Sequence, residues 1–293
     1  GRALCASLQQ AGHRVTVLPR RLPEATRLCG VAVMAVEWND SAPGAWEEAL
    51  ESADAVVNLA GAAIADARWS ASRKRLLIDS RVCTTRRLVE AMARRSSRPR
   101  LLISASGIGY YGASDARVLD EGSTHGEGFL ADLCLEWEAA ALRASEFGTR
   151  VVLLRTGMVL EQSGGALPKM LLPFRLFAGG PIMPGTQWVS WIHRRDHIGM
   201  IQWALATKNV SGPVNAVAPG AVTMRTFCDA LGHELRRPSW LPVPGIALTV
   251  ALGELGTLMT TGQRVSPGKA LVGGYQFQYP MLEPALRAIL TKE

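Results

Sequence analysis

The stretch Leu101-Leu-Ile-Ser-Ala-Ser-Gly-Ile-Gly-Tyr-Tyr-Gly112 decides how the rest of the chain is read. It opens with an apolar run too short for a helix, bounded by Arg98 and Arg100. Such a run reads as a strand buried on both faces of a parallel sheet. The chain leaves it through Ser104, Ala105, Ser106, Gly107 and Gly109, then delivers Tyr110 and Tyr111. In an open α/β sheet, ligands sit in the crevice beyond the carboxyl ends of the strands. Small residues there let a flat molecule approach the backbone. A serine- and glycine-rich turn with no ligand is the competing reading.

Upstream, Arg2 to Ala11 has a helical pattern stopped by Gly12, and Arg14 to Leu18 is a strand ended by Pro19. Arg20 and Arg21 follow, where a dinucleotide-binding unit meets the adenosine ribose. An acid there favours NAD and an arginine accommodates the 2′-phosphate of NADP; a solvated basic turn is the alternative. Val31 to Val36 reads as a third strand, with a loop over Glu37 to Pro43 and a helix to about Glu51. The next strand, from Ala53, stops at Gly61, whose missing side chain allows close contact with a ligand. Ser70 to Arg95 is helical with a break near Asp79-Ser80, and Arg81 at that break is a phosphate candidate.

Downstream, Gly126 to Phe147 reads as a helix with Leu133 and Trp137 on its apolar side and Glu136 and Glu138 exposed. Arg150 to Arg155 is another buried strand, closed by Thr156-Gly157. This alternation suits right-handed βαβ crossovers. Residues 164–196 then read as loop-rich, with helices over Asp196 to Thr207 and Thr226 to Leu235 and a strand at Val214 to Val217. The expected architecture is therefore α/β: a Rossmann-type, doubly wound, mostly parallel sheet over residues 1–161, and a smaller mixed substrate lobe over 162–293.

Composition narrows the class. With 48% hydrophobic and 19% charged residues, the 293-residue chain has ample core and no sign of bulk disorder. The net charge of +7 is carried mostly by scattered arginines with no recognition motif, which argues against nucleic acid. Cys5, Cys29, Cys83, Cys134 and Cys228 have no CxxC spacing, so neither a zinc site nor a disulfide framework is expected, and a reducing compartment is. No apolar run reaches membrane-spanning length. The sequence begins at Gly1 without a methionine, which leaves a targeting segment open.

An ordered series of strings gives the chain a family likeness: NLAG at Asn58, RW at Arg68, SGIGYYG at Ser106, LRTGMVL at Leu154, MLLPFRLFAGGPI at Met170, WVSWIH at Trp188, GPVNAVAP at Gly212 and ALGHELRRP at Ala230. With the tail from Gly262, they resemble an atypical, epimerase-like branch of the extended short-chain dehydrogenase/reductases, which in bacteria includes SulA-like proteins. The resemblance implies NADP(H) as cofactor. It makes Gly1 the last glycine of the phosphate-binding loop, with the strand and first two glycines outside this sequence. It places Arg20 on the 2′-phosphate, Leu59, Ala60 and Gly61 beside the adenosine, Arg81 on the cofactor and Val159 near the nicotinamide.

The chemistry departs from the superfamily. Ordinary members use a tyrosine with a lysine four residues on, whose charge helps the phenol shuttle a proton. Here Ser114, Asp115, Tyr279 and Glu283 stand four residues after Tyr110, Tyr111, Tyr275 and Tyr279, and Leu130 and Cys134 match the family pair. Ser106, with satisfying a backbone group as its alternative, and Tyr110 or Tyr111, with packing as the alternative for Tyr111, remain as catalytic candidates; His193, Lys169 and Asp196, the last a helix N-cap on the competing reading, are further pocket candidates. No metal is expected. The resulting expectation is an NADP(H)-binding, epimerase-like oxidoreductase of unknown small-molecule substrate. The alternative is a catalytically inactive subunit, in a homo-oligomer or larger assembly. A soluble intracellular setting is expected, cytoplasmic in a bacterium and mitochondrial or plastid in a eukaryote.

Overall fold

The computed structural model describes residues 1–23, 33–39, 42, 44–114 and 116–291. The chain opens with α1 (Arg2–Gln10), turns at Gly12 (φ 82°), and enters β1 (Thr16–Val17). β1 pairs in parallel with β2 (Met34–Ala35). Val31, where the third strand is expected to start, and Cys29 lie outside the described residues, as does Pro43 in the loop before α2 (Ala45–Glu51). β3 (Ala55–Asn58) follows, then α3 (Ala71–Ile78) and α4 (Thr84–Ala93). Between these helices the expected break is instead a π turn over Asp79–Cys83, so the helix runs through without stopping.

β4 (Leu101–Gly107) leads through a 3₁₀ turn at Ile108–Tyr111 to β5 (Val118–Leu119) and α5 (Phe129–Leu142). β6 (Arg150–Thr156) and β7 (Met158–Leu160) are separated by Gly157. A Cβ at Gly157 would stand 2.5 Å from the Ser190 carbonyl oxygen, so the backbones there are too close for any other residue.

The stretch read as loop-rich contains α6 (Leu167–Arg175), which corrects that expectation. Pro168 falls in its first turn, where no backbone donor is missed, and Leu167, Leu171 and Phe174 bury one face. β8 (Trp188–Val189) and β9 (Trp191–His193) precede α7 (Arg194–Ala206) and β10 (Gly212–Ala216). The remainder comprises β11 (Val222–Thr223), α8 (Met224–Leu235), α9 (Gly245–Leu252), α10 (Glu254–Thr260), β12 (Arg264–Val265), α11 (Gly268–Val272) and α12 (Leu282–Leu290).

The main sheet has the order β10-β6-β4-β3, all parallel, with Leu101 opposite Arg150 and Gly212 opposite Val152. Successive side chains point to opposite faces. Leu101, Ile103, Val152 and Leu154 pack with Leu4 and Leu8 of α1 and Met200 and Ile201 of α7. Leu102, Val151 and Leu153 pack on the other face with Trp46 of α2 and Leu88 and Met92 of α4. Helices on both faces are what makes both strand runs apolar throughout. A second core, centred on Trp191, Phe227, Leu231 and Leu286, holds α6, α8 and α12 together.

Candidate functional site

At the carboxyl end of the sheet one rung is polar across three adjacent strands. Ser106 of β4 lies opposite Arg155 of β6, which lies opposite Asn215 of β10. All three are buried. Charged and polar groups in such a place need complete partnering, because an unpaired buried charge costs several kcal/mol (about 3–5). Glu138, carried in from α5, supplies the charge. Its carboxylate takes two bonds from Arg155, Nε to Oε1 and Nη2 to Oε2, both 2.8 Å. It also accepts from Ser106 Oγ at 2.7 Å. The reading of Glu138 as exposed is thus corrected. It shares a helical face with Cys134 and Ala141, at spacings of four and three.

Tyr111 closes the other side of the rung. Its hydroxyl donates to Asn215 Oδ1 at 2.7 Å and accepts from Arg155 Nη1 at 3.1 Å. The Arg155 guanidinium lies 3.5 Å from the Tyr110 ring centroid, so Tyr110 covers the network on the crevice side. Asn215 completes its bonds with the Ser266 carbonyl and, through its backbone amide, with Glu121. Burial alone would depress the Arg155 pKa; the bonded Glu138 carboxylate outweighs it and the guanidinium stays charged. Burial pushes the Tyr111 phenol up against the lowering effect of Arg155. Burial, helped by Glu138, pushes the Cys134 thiol up to about 11, so at neutral pH it is no nucleophile.

The remaining candidates fall in three places. Leu59, Ala60 and Gly61 leave the end of β3, with the Ala60 amide bonded to Asn58 Oδ1 at 3.2 Å. Arg81, in the π turn, bonds the Ala62 carbonyl at 2.8 Å and the Leu77 carbonyl at 3.3 Å. A Cβ on Gly61 would come within 3.0 Å of that guanidinium, so this glycine makes room for Arg81. Gly1 caps α1 with open space around it, and Arg20 is exposed just past β1. Val159 sits in β7 opposite Ile192.

Three polar residues of WIHRRDH are structural in this geometry. His193, not Asp196, is the N-cap of α7: its Nδ1 accepts from the Arg195 amide at 3.0 Å, and its ring lies 4.0 Å from that of Tyr279. Asp196 is fully buried in the first turn. It accepts from the backbone amides of Gln278 at 2.7 Å and Tyr279 at 2.9 Å. His197 Nε2 lies 3.2 Å from Thr156 Oγ1, and burial pushes this imidazole down to about 4. Lys169 reaches across to the Ala65 carbonyl and Asp66. No cluster of metal-ligating residues exists among the described residues.

A dinucleotide needs a helix N-terminus for its phosphates, small residues along the strand ends and a charge for any 2′-phosphate. The N-terminus of α1, exposed Ala60 and Gly61 past β3, and exposed Arg20 past β1 fit those demands.

Residues 1–217 match the family described as NAD dependent epimerase/dehydratase, and residues 243–289 match a domain of unknown function, DUF1731. The chain is 39% identical to the chloroplastic epimerase family protein SDR39U1 homolog of Arabidopsis thaliana, over 99% of this chain and 83% of that one. It is 37% identical to the epimerase family protein YfhF of Bacillus subtilis, over 99% and 94%. Among solved structures it resembles human epimerase family protein SDR39U1 crystallised with NADPH, with a TM-score of 0.87 and 34% identity, over 99% and 95% of the two chains. A UDP-glucuronic acid 4-epimerase from Bacillus cereus shares the fold at 16% identity and a TM-score of 0.79, over 99% and 94%.

Proposed function

The chain belongs to the NAD dependent epimerase/dehydratase family, and from that premise we propose that it binds NADP(H) and acts as an epimerase-like oxidoreductase. The observation that carries the cofactor reading is Arg20, exposed just past β1 where an acid would select NAD. The NADPH in the human relative's structure supports it. Gly1 and the α1 N-terminus receive the pyrophosphate, Leu59, Ala60 and Gly61 flank the adenosine, Arg81 braces that turn, and Val159 lies toward the nicotinamide. When bound, the cofactor supplies hydride transfer.

The protein's own part is orientation and the placing of one proton. Ser106 Oγ is held toward Glu138, and the carboxylate is held in turn by two bonds from Arg155. Because the Ser106 hydrogen is committed to Glu138, a substrate hydroxyl donating to Ser106 Oγ meets an acceptor of fixed direction. Tyr111 acts one step removed, by fixing Arg155 and Asn215.

A second reading rests on a separate observation. With Leu130 and Cys134 where the family places its tyrosine and lysine, the thiol neutral and the Tyr111 hydroxyl fully bonded, the domain can bind cofactor and serve an assembly without turnover. Titration with NADPH and NADH separates the elements of this proposal. Arg20→Ala should weaken NADPH binding at least tenfold more than NADH binding, the loss of a charge-assisted phosphate contact of about 1.5–3 kcal/mol. Equal loss of both sinks the NADP assignment. Selective binding by the parent with no hydride exchange on any carbonyl or sugar tried would favour the second reading.

A further inference from the structure

The substrate lobe carries an apolar surface that the proposed function leaves unused. α9 has no buried residue although none of its eight residues is charged, and Ile246 is 82% exposed. The backbone leading into it runs beside residues 179–183: the amides of Trp240 and Leu241 both bond the Gly179 carbonyl, the Val243 amide donates to the Pro181 carbonyl and the Met183 amide to the Val243 carbonyl. Trp240 is 65% exposed while its indole nitrogen bonds the Phe177 carbonyl at 3.2 Å. Leu176 and Phe177, at the end of α6, are exposed beside it. Apolar groups this exposed are not the lining of a small-molecule pocket, which would bury them. Exposed apolar side chains gathered on neighbouring segments mark an interaction site.

Charge identifies the partner. From Gln162 to Arg195 and again from Leu235 to Gly253, the two segments that build this surface, there is no aspartate or glutamate. Both carry exposed arginines, and the Arg237 guanidinium sits 4.4 Å from the Phe177 ring centroid, with Arg236 next to it. The bordering acids are occupied: Glu234 by Arg287 and Glu254 by Lys74. A symmetric contact with a second copy would set these arginines against each other. An anionic lipid surface instead pairs with the arginines and takes the tryptophan, phenylalanine and aliphatic side chains at its boundary. No helix among the described residues is long and apolar enough to cross a membrane, so the contact is peripheral.

We infer that the surface made by the end of α6, the Trp240-Leu241 segment and α9 seats this protein on an anionic membrane. The test is sedimentation of the full chain with vesicles of phosphatidylcholine alone or of equimolar phosphatidylcholine and phosphatidylglycerol. Binding is expected to the second and not the first, and to weaken as salt is raised. The exposed pair Arg236→Gln/Arg237→Gln should lower partitioning about thirty-fold, at about tenfold or less per arginine near an anionic surface. Ile246→Ser/Val250→Ser should abolish it while the melting temperature and NADPH binding stay at parental values. Absence of sedimentation with either vesicle overturns the inference, and so does sedimentation indifferent to both pairs. A concentration-dependent dimer dispersed by Ile246→Ser/Val250→Ser, without vesicle binding, overturns it in favour of a subunit interface.

Discussion

Two buried carboxylates hold the two halves of this molecule, and they are satisfied in opposite ways. Glu138, beneath the polar rung of the main sheet, is neutralised by a cation, with two bonds from Arg155 and one from Ser106. Asp196, at the start of α7, meets no cation on its oxygens among the described residues. Its donors are the amides of Gln278 and Tyr279 and the Tyr275 hydroxyl 3.2 Å from Oδ1. Burial, reinforced by that carboxylate, pushes the Tyr275 phenol well above its ordinary range. The first arrangement joins strands and a helix that are already neighbours in the sheet. The second reaches 82 residues along the chain to clasp the tail against α7. A charge pair concentrates its energy in one geometry; a carboxylate bound by amides spreads it over backbone that has to be folded to supply the donors.

The largest expected effect tests the ion pair. Arg155→Met or Glu138→Leu should each cost about 3–5 kcal/mol in urea unfolding, since each strands a buried charge. The double variant should recover a large part of that loss. Simple addition of the two losses would show that they do not act as a pair.

Asp196→Asn comes next, at about 2–3 kcal/mol, because an amide cannot accept on both sides as a carboxylate does. Its signature is local: hydrogen exchange should quicken at the Gln278 and Tyr279 amides. Unchanged exchange there would break the comparison, leaving the tail held by packing alone.

The third prediction concerns pH at the same helix start. Burial holds His193 down at about 4, and its neutral Nδ1 is needed as the cap acceptor. The unfolded imidazole titrates near 6.5. Between those values the unfolded chain takes up a proton that the folded chain refuses, so stability falls as pH drops from about 6.5 to about 4. His193→Asn keeps a capping acceptor and should make that limb of the melting-temperature profile shallower, with His197, also held down to about 4 by burial, supplying the rest of the slope. A profile with the parental slope would remove His193 from the account.

Smallest is Tyr111→Phe, which removes one hydroxyl and leaves Asn215 and Arg155 each short of a partner. A loss of about 1 kcal/mol is expected, with NADPH affinity unchanged. A large loss of affinity would move Tyr111 from a supporting position to direct contact with the cofactor.

Much of the sheet was legible because its signals are local. The apolar runs at 101–103 and 151–154 end in small residues and glycine, and each proves to be a buried parallel strand. The helix from Ser70 shows its irregularity at the expected Asp79-Ser80, as a π turn rather than a break. The site was legible only in part. Arg155 ends an apolar strand, and a charge in that position announces a buried partner. The Glu138 spacing to Cys134 and Ala141, four and three residues, puts it on the helix's inner face. In α6, Pro168 and Pro173 mask the helical spacing of Leu167, Leu171 and Phe174.

By itself the sequence determines what depends on neighbours a few residues apart: the strands, most helices, the turn glycines and the family likeness carried by short strings in order. The register that sets Ser106, Arg155 and Asn215 on one rung is decided only by the tertiary structure, and so is the return of residues 275–279 to Asp196. The reason is physical. A buried polar group is defined by who satisfies it, and those partners lie between 17 and 104 residues away in the rung, at distances no local pattern encodes.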